Sequence, residues 1–296
     1  MGMIKIQGRV SFDVPLAPLT SYRVGGPADV LVSPAGPEDI AAVLSLARKE
    51  GIPHFVLGGG ANILISDRGI RGIVLHMTSI DELTLSEGGL TVGAGREMSE
   101  VSERAAAASL GGLEFIFSMP GSVGGAIWMN ARCYGSSISD VLEWTEVVDE
   151  DLKLTVVPRR PGDFEYKSSP FQGRDQVIVR ARFALRADLT SSLLKVMEAN
   201  RADRARKGHF FAPSAGSVFK NNHAFGDPSG KIIDRLGLRG FRIGGAQVSP
   251  YHANIIINSG GATAIDIETL IRHVAARVKD ELGFELEREV VSVGEW

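Results

Sequence analysis

The chain has 296 residues, of which 44% are hydrophobic and 23% are charged, and its formal net charge is -3. Because a domain usually has about 100 to 200 residues, we expect two or three lobes that share a sizeable core. A slightly acidic chain is not a general nucleic-acid binder, since such proteins need a basic surface to displace counterions.

Cysteine and histidine usage exclude several kinds of site. Cys133 is the single cysteine, so neither an internal disulfide nor a multi-cysteine metal site can form. His209 and His252 lie in different segments without metal-ligand spacing, and we therefore predict no metal. The N-terminal segment MGMIKIQGRVSF lacks an apolar signal core, and no apolar run of about 18 residues occurs. We expect a cytoplasmic protein that does not cross a membrane.

The first half of the sequence alternates short apolar runs with amphipathic stretches. Apolar residues spaced by three and four predict a helix over 37–50, with Pro37 suited to its first turn. A second, alanine-rich helix is predicted over 99–109. Strands are predicted over 28–32, 54–57, 73–76, 90–92, 141–148, 154–157 and 177–185. Strands that alternate with helices and glycine loops are typical of an α+β nucleotide-binding unit of two lobes.

From Ser191 the pattern changes to helices joined by short strands. The predicted helices cover 193–206, 229–236 and 265–282, and the predicted strands cover 217–219, 252–258 and 286–293. The last helix has one apolar stripe, formed by Ile265, Leu270, Ile271, Val274, Val278 and Leu282. We divide the chain into a first lobe (1–78), a second lobe (79–187) and a C-terminal domain (188–296).

Three glycines, at 58–60, follow the strand predicted at 54–57. Bare backbone amides at such a place can approach a pyrophosphate and form an anion-binding nest. The stretch does not match the Rossmann fingerprint, because the third glycine position holds Ile63, and it lacks the lysine of a Walker loop. A plain tight turn is the alternative interpretation.

A second glycine cluster, at 119–126, leads into an apolar helical segment predicted at 127–130. Glycines just before a helix leave free N–H groups and the positive end of the helix dipole facing a ligand. The alternative is a packed hairpin whose glycines only relieve crowding. Two clusters with hydroxyl and amide side chains interleaved favour a dinucleotide that contacts both.

Three further residues have both an ordinary and a functional interpretation. Ser217 lies among small residues, and its ordinary interpretation is a turn or helix-cap hydroxyl. Because no GxSxG elbow is present, it is not a hydrolase nucleophile. Glu289 shares a predicted strand face with the valines of 291–293, so it is either a solvated rim residue or a buried acid. Lys167 by default is a solvated loop cation.

Six stretches in this order resemble the UDP-N-acetylenolpyruvoylglucosamine reductase family, also called UDP-N-acetylmuramate dehydrogenase, of bacterial peptidoglycan synthesis. They are PLAPLTSYRVGGPAD, GGGANILISDRGIRGIV, MPGSVGGAIWMNA, PSAGSVFKN, RIGGAQVS with the following HAN, and LEREVVSVG. The match covers almost the whole chain. The resemblance implies an α+β fold with a two-lobed FAD-binding unit of the vanillyl-alcohol-oxidase type and a C-terminal α/β substrate-binding domain. It also implies the subtype without a long insertion after RIGGAQVS.

The resemblance assigns roles to individual residues. It implies Ser217 as the proton donor and Glu289 as the catalytic acid, and it puts Lys167 where the family has an arginine. Lysine keeps the positive charge but loses the fork that binds a carboxylate bidentately. The implied cofactor-binding residues are Gly58, Gly59, Gly60, Asn62, Ile63, Leu64, Pro120, Gly121, Ser122, Gly124, Gly125 and Ala126. The implied substrate-binding residues are Tyr166, Lys220, Asn221, Gln247 and His252. Arg132 and Cys133 depart from the family's small residues and predict a bulkier lining near the flavin.

The resemblance finally implies a reaction. Hydride from NADPH would pass through non-covalently bound FAD to the enolpyruvyl group of a nucleotide sugar, and Ser217 would protonate the neighbouring carbon. We expect a monomer that binds this small-molecule substrate, without nucleic-acid or membrane partners. One alternative is an oxidase of the same fold acting on a small alcohol, which would carry a covalent flavin link through histidine or cysteine. The other is a nucleotide-binding protein without turnover.

Overall fold

The computed structural model describes residues 5–296, so the first residues of the N-terminal segment searched for a signal lie outside it. The chain divides into two compact units. The first unit holds the residues up to Phe12, Asp29–Gly59 and Gly72–Arg201, and the second holds Asp13–Ala28, Gly60–Arg71 and Ala202–Trp296. The division into 1–78, 79–187 and 188–296 stays a prediction. Among the described residues, no helix is long and apolar enough to cross a membrane.

The α-helices of residues 5–296 follow the predicted order. They are α1 (Pro37–Glu50), α2 (Met98–Ala107), α3 (Val123–Trp128), α4 (Thr190–Arg206), α5 (Ser229–Arg235) and α6 (Ala264–Leu282). Helix α1 has the predicted bounds, with Pro37 in its first turn and Gly51 ending it at φ 64°. Short 3-10 turns lie at Ala17–Leu19, Met77–Ser79, Glu114–Ile116, Ile138–Asp140 and His223–Phe225.

Helix α6 corrects the predicted apolar stripe at both ends. Ile265 is 56% exposed and Leu282 is 38% exposed. Ile265 lies on another face because, at about 100° per residue, a position five residues before Leu270 points away from it. Leu282, four residues after Val278, lies on the face of the stripe but is the last residue of the helix and is partly exposed there. The buried stripe consists of Ala264, Ile267, Leu270, Ile271, Val274 and Val278, with Glu268 beside it.

The strands, in chain order, are β1 (Arg9–Pro15), β2 (Pro27–Ser33), β3 (His54–Leu57), β4 (Ile63–Ile65), β5 (Ile70–His76), β6 (Leu83–Ser86), β7 (Gly89–Gly93), β8 (Leu110–Gly111), β9 (Arg132–Cys133), β10 (Ser136–Ser137), β11 (Leu142–Val148), β12 (Leu154–Pro158), β13 (Val177–Ala184), β14 (Arg186–Ala187), β15 (Ser214–Ser217), β16 (Arg242–Ile243), β17 (Ala246–Val248), β18 (Ile255–Asn258) and β19 (Val291–Val293). The larger sheets have the orders β1-β2-β5-β3, β12-β11-β13-β7-β6 and β15-β18-β17-β16. Smaller two-stranded sheets pair β10 with β9, β14 with β8 and β19 with β4.

Two hydrophobic clusters form the core of the first unit. One packs α1 against β5 and also takes in Val148, Val177 and Val179 from β11 and β13. The other packs α2 and α3 against β7, β11 and β13. The residues of the two predicted lobes therefore share a core within this unit.

The strands of the second unit differ from the prediction in several places. Strand β15 ends at Ser217 instead of beginning there, strand β18 begins at Ile255 instead of at 252, and strands β4, β16 and β17 were not predicted. The predicted strand 286–293 is regular only over β19, which pairs in parallel with β4. Glu289 precedes β19, so its alternation with the valines of 291–293 is not that of one strand. Pairing with β4, which is distant in sequence, sets the bounds of β19.

Candidate active site

The two glycine clusters meet in the first unit. The N–H of Gly59 donates to Ser122 Oγ at 3.2 Å. A Cβ on Gly58 would lie 2.3 Å from Ser122 Oγ, and one on Gly59 would lie 2.9 Å from the Cα of Gly121. Gly59 therefore requires glycine, because the two backbones approach too closely there for a side chain, whereas a side chain at Gly58 would displace the Ser122 hydroxyl.

Gly60 belongs to the second unit and has a different local role. Its φ is 60°, and a Cβ there would lie 2.0 Å from the carbonyl oxygen of Leu19. The Gly60 carbonyl accepts the N–H of Ser21 at 3.0 Å. At this third glycine, the tight-turn interpretation describes the observed local geometry.

Helix α3 begins inside the second cluster, at Val123, four residues earlier than predicted, because Ser122 caps it. The first N–H groups of the helix are already used within the protein. Val123 donates to Arg96 O at 2.9 Å, Gly124 to Ala94 O at 2.8 Å and Gly125 to Ser122 Oγ at 3.4 Å. The expectation that this helix start leaves free N–H groups is therefore wrong for these residues. The Ser122 hydroxyl and the backbone carbonyls of the turn before α2 accept these hydrogen bonds.

Lys167 lies in a tight turn that is held against the end of α3. Its φ is 59°, in the left-handed region that residues other than glycine rarely adopt. Asn130 Nδ2 donates to Glu165 O at 2.8 Å, and Gln172 Nε2 donates to Lys167 O at 3.2 Å. Gln172 Nε2 also donates to Trp128 O at 2.8 Å. The turn is thus positioned by buried or half-buried amides, while neighbouring Tyr166 is 43% exposed.

Ser217 ends β15 after a backbone irregularity. The pairing of β15 with β18 matches Ser214 to Ile257 and Ser217 to Ile255, so three steps on one strand oppose two on the other. Gly216 within this bulge has φ 72°. Such a bulge redirects the following side chain, which here is that of half-buried Ser217.

Glu289 lies beside the segment that follows Ser217. Its N–H donates to Val218 O at 2.8 Å, and its carbonyl accepts from Asn62 Nδ2 at 3.0 Å. Asn62 O in turn accepts the N–H of Val291 at 3.0 Å. The structure therefore brings together Ser217, Glu289 and Asn62, which are far apart in sequence. Ile63 and Leu64 follow Asn62 in β4.

The predicted substrate residues of the second unit occupy several places. Lys220 Nζ lies 2.6 Å from Glu287 Oε1, and Asn221 Oδ1 accepts the N–H of Ser229 at 3.0 Å. Gln247 lies in β17 and donates to Gly240 O at 3.1 Å. His252 precedes β18. Lys220 and Asn221 continue the segment of Ser217, whereas Gln247 sits two strands away in the sheet.

His252 is held in its neutral form. Its Nδ1 accepts the N–H of Asn254 at 3.3 Å, which requires that this nitrogen carries no proton. Burial, with the positive charges of Lys207 and Arg239, lowers the pKa of His252. Burial and nearby Arg204 lower the pKa of His209, whose ring centroid lies 5.8 Å from that of His252, to about 3. At neutral pH His252 therefore offers an N–H donor and no positive charge.

Two features near Glu289 were missed by the sequence. Arg288 Nη1 pairs at 2.6 Å with Glu268 Oε2, and Glu268 is buried in the stripe of α6. Asn254, also buried, hydrogen-bonds the backbone of Phe219. The HAN triplet was the only signal for Asn254. The charged run ERE at 287–289 does not indicate that Arg288 is the residue that pairs with a buried carboxylate. No group of three metal-ligating side chains is found among residues 5–296.

Comparison with known proteins gives the family. The FAD binding domain model matches residues 28–157, and the model of the UDP-N-acetylenolpyruvoylglucosamine reductase C-terminal domain matches residues 207–293. The UDP-N-acetylenolpyruvoylglucosamine reductase of Treponema denticola is 42% identical over 98% of this chain and 95% of its own length. The chain belongs to the UDP-N-acetylenolpyruvoylglucosamine reductase family. The reductase of Borreliella burgdorferi is 38% identical over 94% of this chain and 93% of its own.

Solved structures agree with this assignment. The UDP-N-acetylenolpyruvylglucosamine reductase of Thermus caldophilus has a TM-score of 0.80 and 33% identity, and it covers 97% of this chain and 99% of its own. The 6-hydroxy-D-nicotine oxidase of Arthrobacter nicotinovorans shares the fold alone, with a TM-score of 0.51 and 19% identity over 62% of this chain and 43% of its own. The predicted family, the α+β fold class with its FAD-binding part, and the prediction of an FAD-dependent oxidoreductase are confirmed.

Proposed function

We propose that this chain reduces the enolpyruvyl group of UDP-N-acetylglucosamine enolpyruvate with NADPH, forming UDP-N-acetylmuramate for peptidoglycan synthesis. It would act in the cytoplasm as a monomer. Membership of the reductase family supports the reaction class. The observation that carries the proposal is the backbone bond of 2.8 Å from Glu289 to Val218, which puts Glu289 beside the residue that follows Ser217.

The residues of the first unit suit the phosphates of FAD. Gly58 and Gly59 lie against Gly121 and Ser122, so the junction of the two clusters has bare backbone on one side and only a serine side chain on the other. Both clusters also lie within residues 28–157, which the FAD binding domain model matches, and this supports FAD as the cofactor. Neither cluster contains a histidine or cysteine, which supports non-covalent binding. When bound, FAD supplies hydride transfer from NADPH to the substrate.

The remaining chemistry belongs to side chains of this chain. Hydride addition to the terminal carbon of the enolpyruvyl group pushes negative charge onto the neighbouring carbon and its carboxylate. Glu289 and the cation Lys167 would stabilise that charge. Ser217 would donate its hydroxyl proton to the neighbouring carbon, which completes the lactyl ether, and regain a proton from solvent. Serine is a weak acid at its ordinary pKa, so this step needs neighbouring charge.

Five further side chains would bind the nucleotide sugar: Tyr166, Lys220, Asn221, Gln247 and His252. Among them, Lys220 is the positively charged side chain that would bind the diphosphate. Its ammonium already pairs with Glu287, which is 70% exposed, so a diphosphate would have to displace a solvated carboxylate. Exposed ion pairs contribute little, about 1 kcal/mol or less, and the exchange is therefore inexpensive.

A turnover experiment tests the proposal. The purified, FAD-loaded protein is mixed under nitrogen with NADPH and UDP-N-acetylglucosamine enolpyruvate, and the product is examined by mass spectrometry. We expect NADPH oxidation that depends on the enol ether and a product heavier by two hydrogens. Consumption of oxygen with a small alcohol instead would indicate an oxidase. Binding of the nucleotide sugar without turnover would indicate a nucleotide-binding protein.

The state of the flavin is a second readout. We expect a yellow protein whose colour is released by acid precipitation. Colour that stays with the precipitate would contradict non-covalent binding.

A further inference from the structure

Asn254 holds the two residues that follow Ser217. It is 3% exposed and immediately precedes β18. Its Oδ1 accepts the N–H of Phe219 at 3.0 Å, and its Nδ2 donates to Phe219 O at 2.8 Å. Its own carbonyl accepts the N–H of Val218 at 2.8 Å. One residue thus satisfies three backbone groups in succession.

The other side of the same segment carries Glu289. Val218 O accepts the N–H of Glu289 at 2.8 Å, and the N–H of Lys220 donates to Glu287 O at 2.8 Å. Phe219 and Arg288 form an isolated bridge between these bonds. The segment 218–220 therefore lies between Asn254 and the segment that carries Glu289. Any shift of Val218 and Phe219 moves the backbone of both Ser217 and Glu289.

The bulge before Ser217 makes this support necessary. At Gly216 the regular pairing with β18 is interrupted, and the backbone takes a φ of 72°. Ladder hydrogen bonds are disrupted at a bulge, so the chain is less constrained on that side of Ser217. On the other side, Asn254 supplies both a donor and an acceptor to Phe219, as a neighbouring strand would.

We propose that Asn254 is a positioning residue for protonation by Ser217 and for charge stabilisation by Glu289, acting through the backbone of Val218 and Phe219. This inference rests on the proposed function. A general acid must lie within hydrogen-bond reach of the atom that it protonates, and a misplacement of about 1 Å can cost roughly 100-fold in rate. Flavin reduction by NADPH involves neither group, so Asn254 should affect one half-reaction only.

The test is Asn254→Asp in the FAD-loaded protein, followed by stopped-flow absorbance. The introduced carboxyl group keeps the acceptor for the Phe219 N–H, but when ionised it cannot donate to Phe219 O. We expect reoxidation by the enol ether to slow by roughly 10- to 100-fold at pH 8, with flavin reduction by NADPH within about twofold of wild type. As the pH falls, the protonated carboxyl regains a donor, so the reoxidation rate should recover relative to wild type.

Asn258→Asp is the matched control. Asn258 is the last residue of β18, the strand that Asn254 precedes. Its Nδ2 donates to Tyr22 O at 3.1 Å and its Oδ1 accepts the N–H of Gly260 at 3.1 Å. The substitution removes the same kind of bond away from Ser217, and we expect neither half-reaction to change. Asn254→Ser, which adds no charge but is too short to hold both groups of Phe219, should repeat the slow reoxidation without its recovery at low pH.

The possible outcomes separate this inference from the proposed function. If wild-type protein is not reoxidised by the enol ether, the proposed function fails. If wild type is active and Asn254→Asp reoxidises at the wild-type rate, only the positioning role fails. Equal slowing of both half-reactions would also overturn it, as would loss of fold or flavin in both Asn254 variants while Asn258→Asp stays intact. Either result would mean that Asn254 maintains the fold as a whole.

Discussion

The backbone N–H of Glu289 donates to the carbonyl oxygen of Val218 across 2.8 Å. Val218 follows Ser217, so the two groups proposed for acid catalysis are anchored on adjoining stretches of the second unit. The anchoring atoms belong to the main chain. Substitution of either the serine or the glutamate side chain therefore leaves the bond in place, and such variants test chemistry more than folding.

Ser217→Ala and Glu289→Gln should impair only the second half-reaction. Flavin bleaching by NADPH should stay near normal, since protonation and enol stabilisation follow hydride delivery to the substrate. Reoxidation by UDP-N-acetylglucosamine enolpyruvate should fall by roughly 10²- to 10⁴-fold, as for loss of a general acid. Stopped-flow absorbance measures the halves separately. Ser214→Ala, at the start of the same strand, is the control and should change neither rate. Equal losses in both halves would instead indicate a disturbed flavin pocket.

Lys167→Ala should slow reoxidation by roughly 10- to 100-fold, because it removes the cation proposed to contact the substrate carboxylate. Lys167→Arg should retain most of the rate, since arginine restores the family's forked cation. Neither substitution adds a conformational penalty beyond the one that lysine already bears at φ 59°. Lys195→Ala, on the exposed face of α4, is the control. A wild-type reoxidation rate in Lys167→Ala would make this residue an ordinary loop cation.

Gly59→Ala should lower flavin retention. The added Cβ would lie 2.9 Å from both Gly121 Cα and Ser122 N, so the two clusters would have to separate. The ratio of flavin to protein absorbance after gel filtration measures the effect. Gly36→Ala is the matched control in the same unit, because its Cβ would meet only the flexible carboxylate end of Glu38, at 3.0 Å. Full flavin content in Gly59→Ala would show that the junction of the clusters does not shape the flavin site.

Glu268→Gln should lower the free energy of unfolding at pH 7 and reduce the loss of stability that occurs as the pH falls into the acid range. Burial by itself raises the pKa of Glu268, but hydrogen bonds from Arg272 and Arg288 outweigh burial and hold the pKa below its ordinary value of 4.5. A lowered folded-state pKa means stabilisation that is complete above pH 4.5 and is lost as the pH falls through the lowered value. At pH 7 we expect the substitution to cost roughly 2 to 4 kcal/mol, less than a fully buried pair because Arg288 is partly exposed.

Denaturant titration at pH 7 and at successively lower pH measures the free energy of unfolding for this comparison. Glu281→Gln on the same helix is the control, since Glu281 pairs with Arg277 at the surface and should contribute less than about 1 kcal/mol. A parallel decline of wild type and Glu268→Gln with falling pH would assign the acid sensitivity to other groups.

The sequence by itself determined those elements whose signals are local. Helix α1 has its predicted bounds because proline at its start, apolar spacing and glycine at its end all lie within fifteen residues. The order of motifs along the chain likewise determined the family, and through it the residue types proposed for the site.

Only the tertiary structure decided features that depend on partners distant in sequence. The amides of α3 are bonded by the turn before α2, Ile265 faces solvent, and β19 is ordered by β4. The contact of Asn254 with Phe219 likewise joins residues that are 35 positions apart in the sequence. In each case a backbone hydrogen bond or a buried face is satisfied across a long loop, and local propensity holds no information about which distant segment will satisfy it.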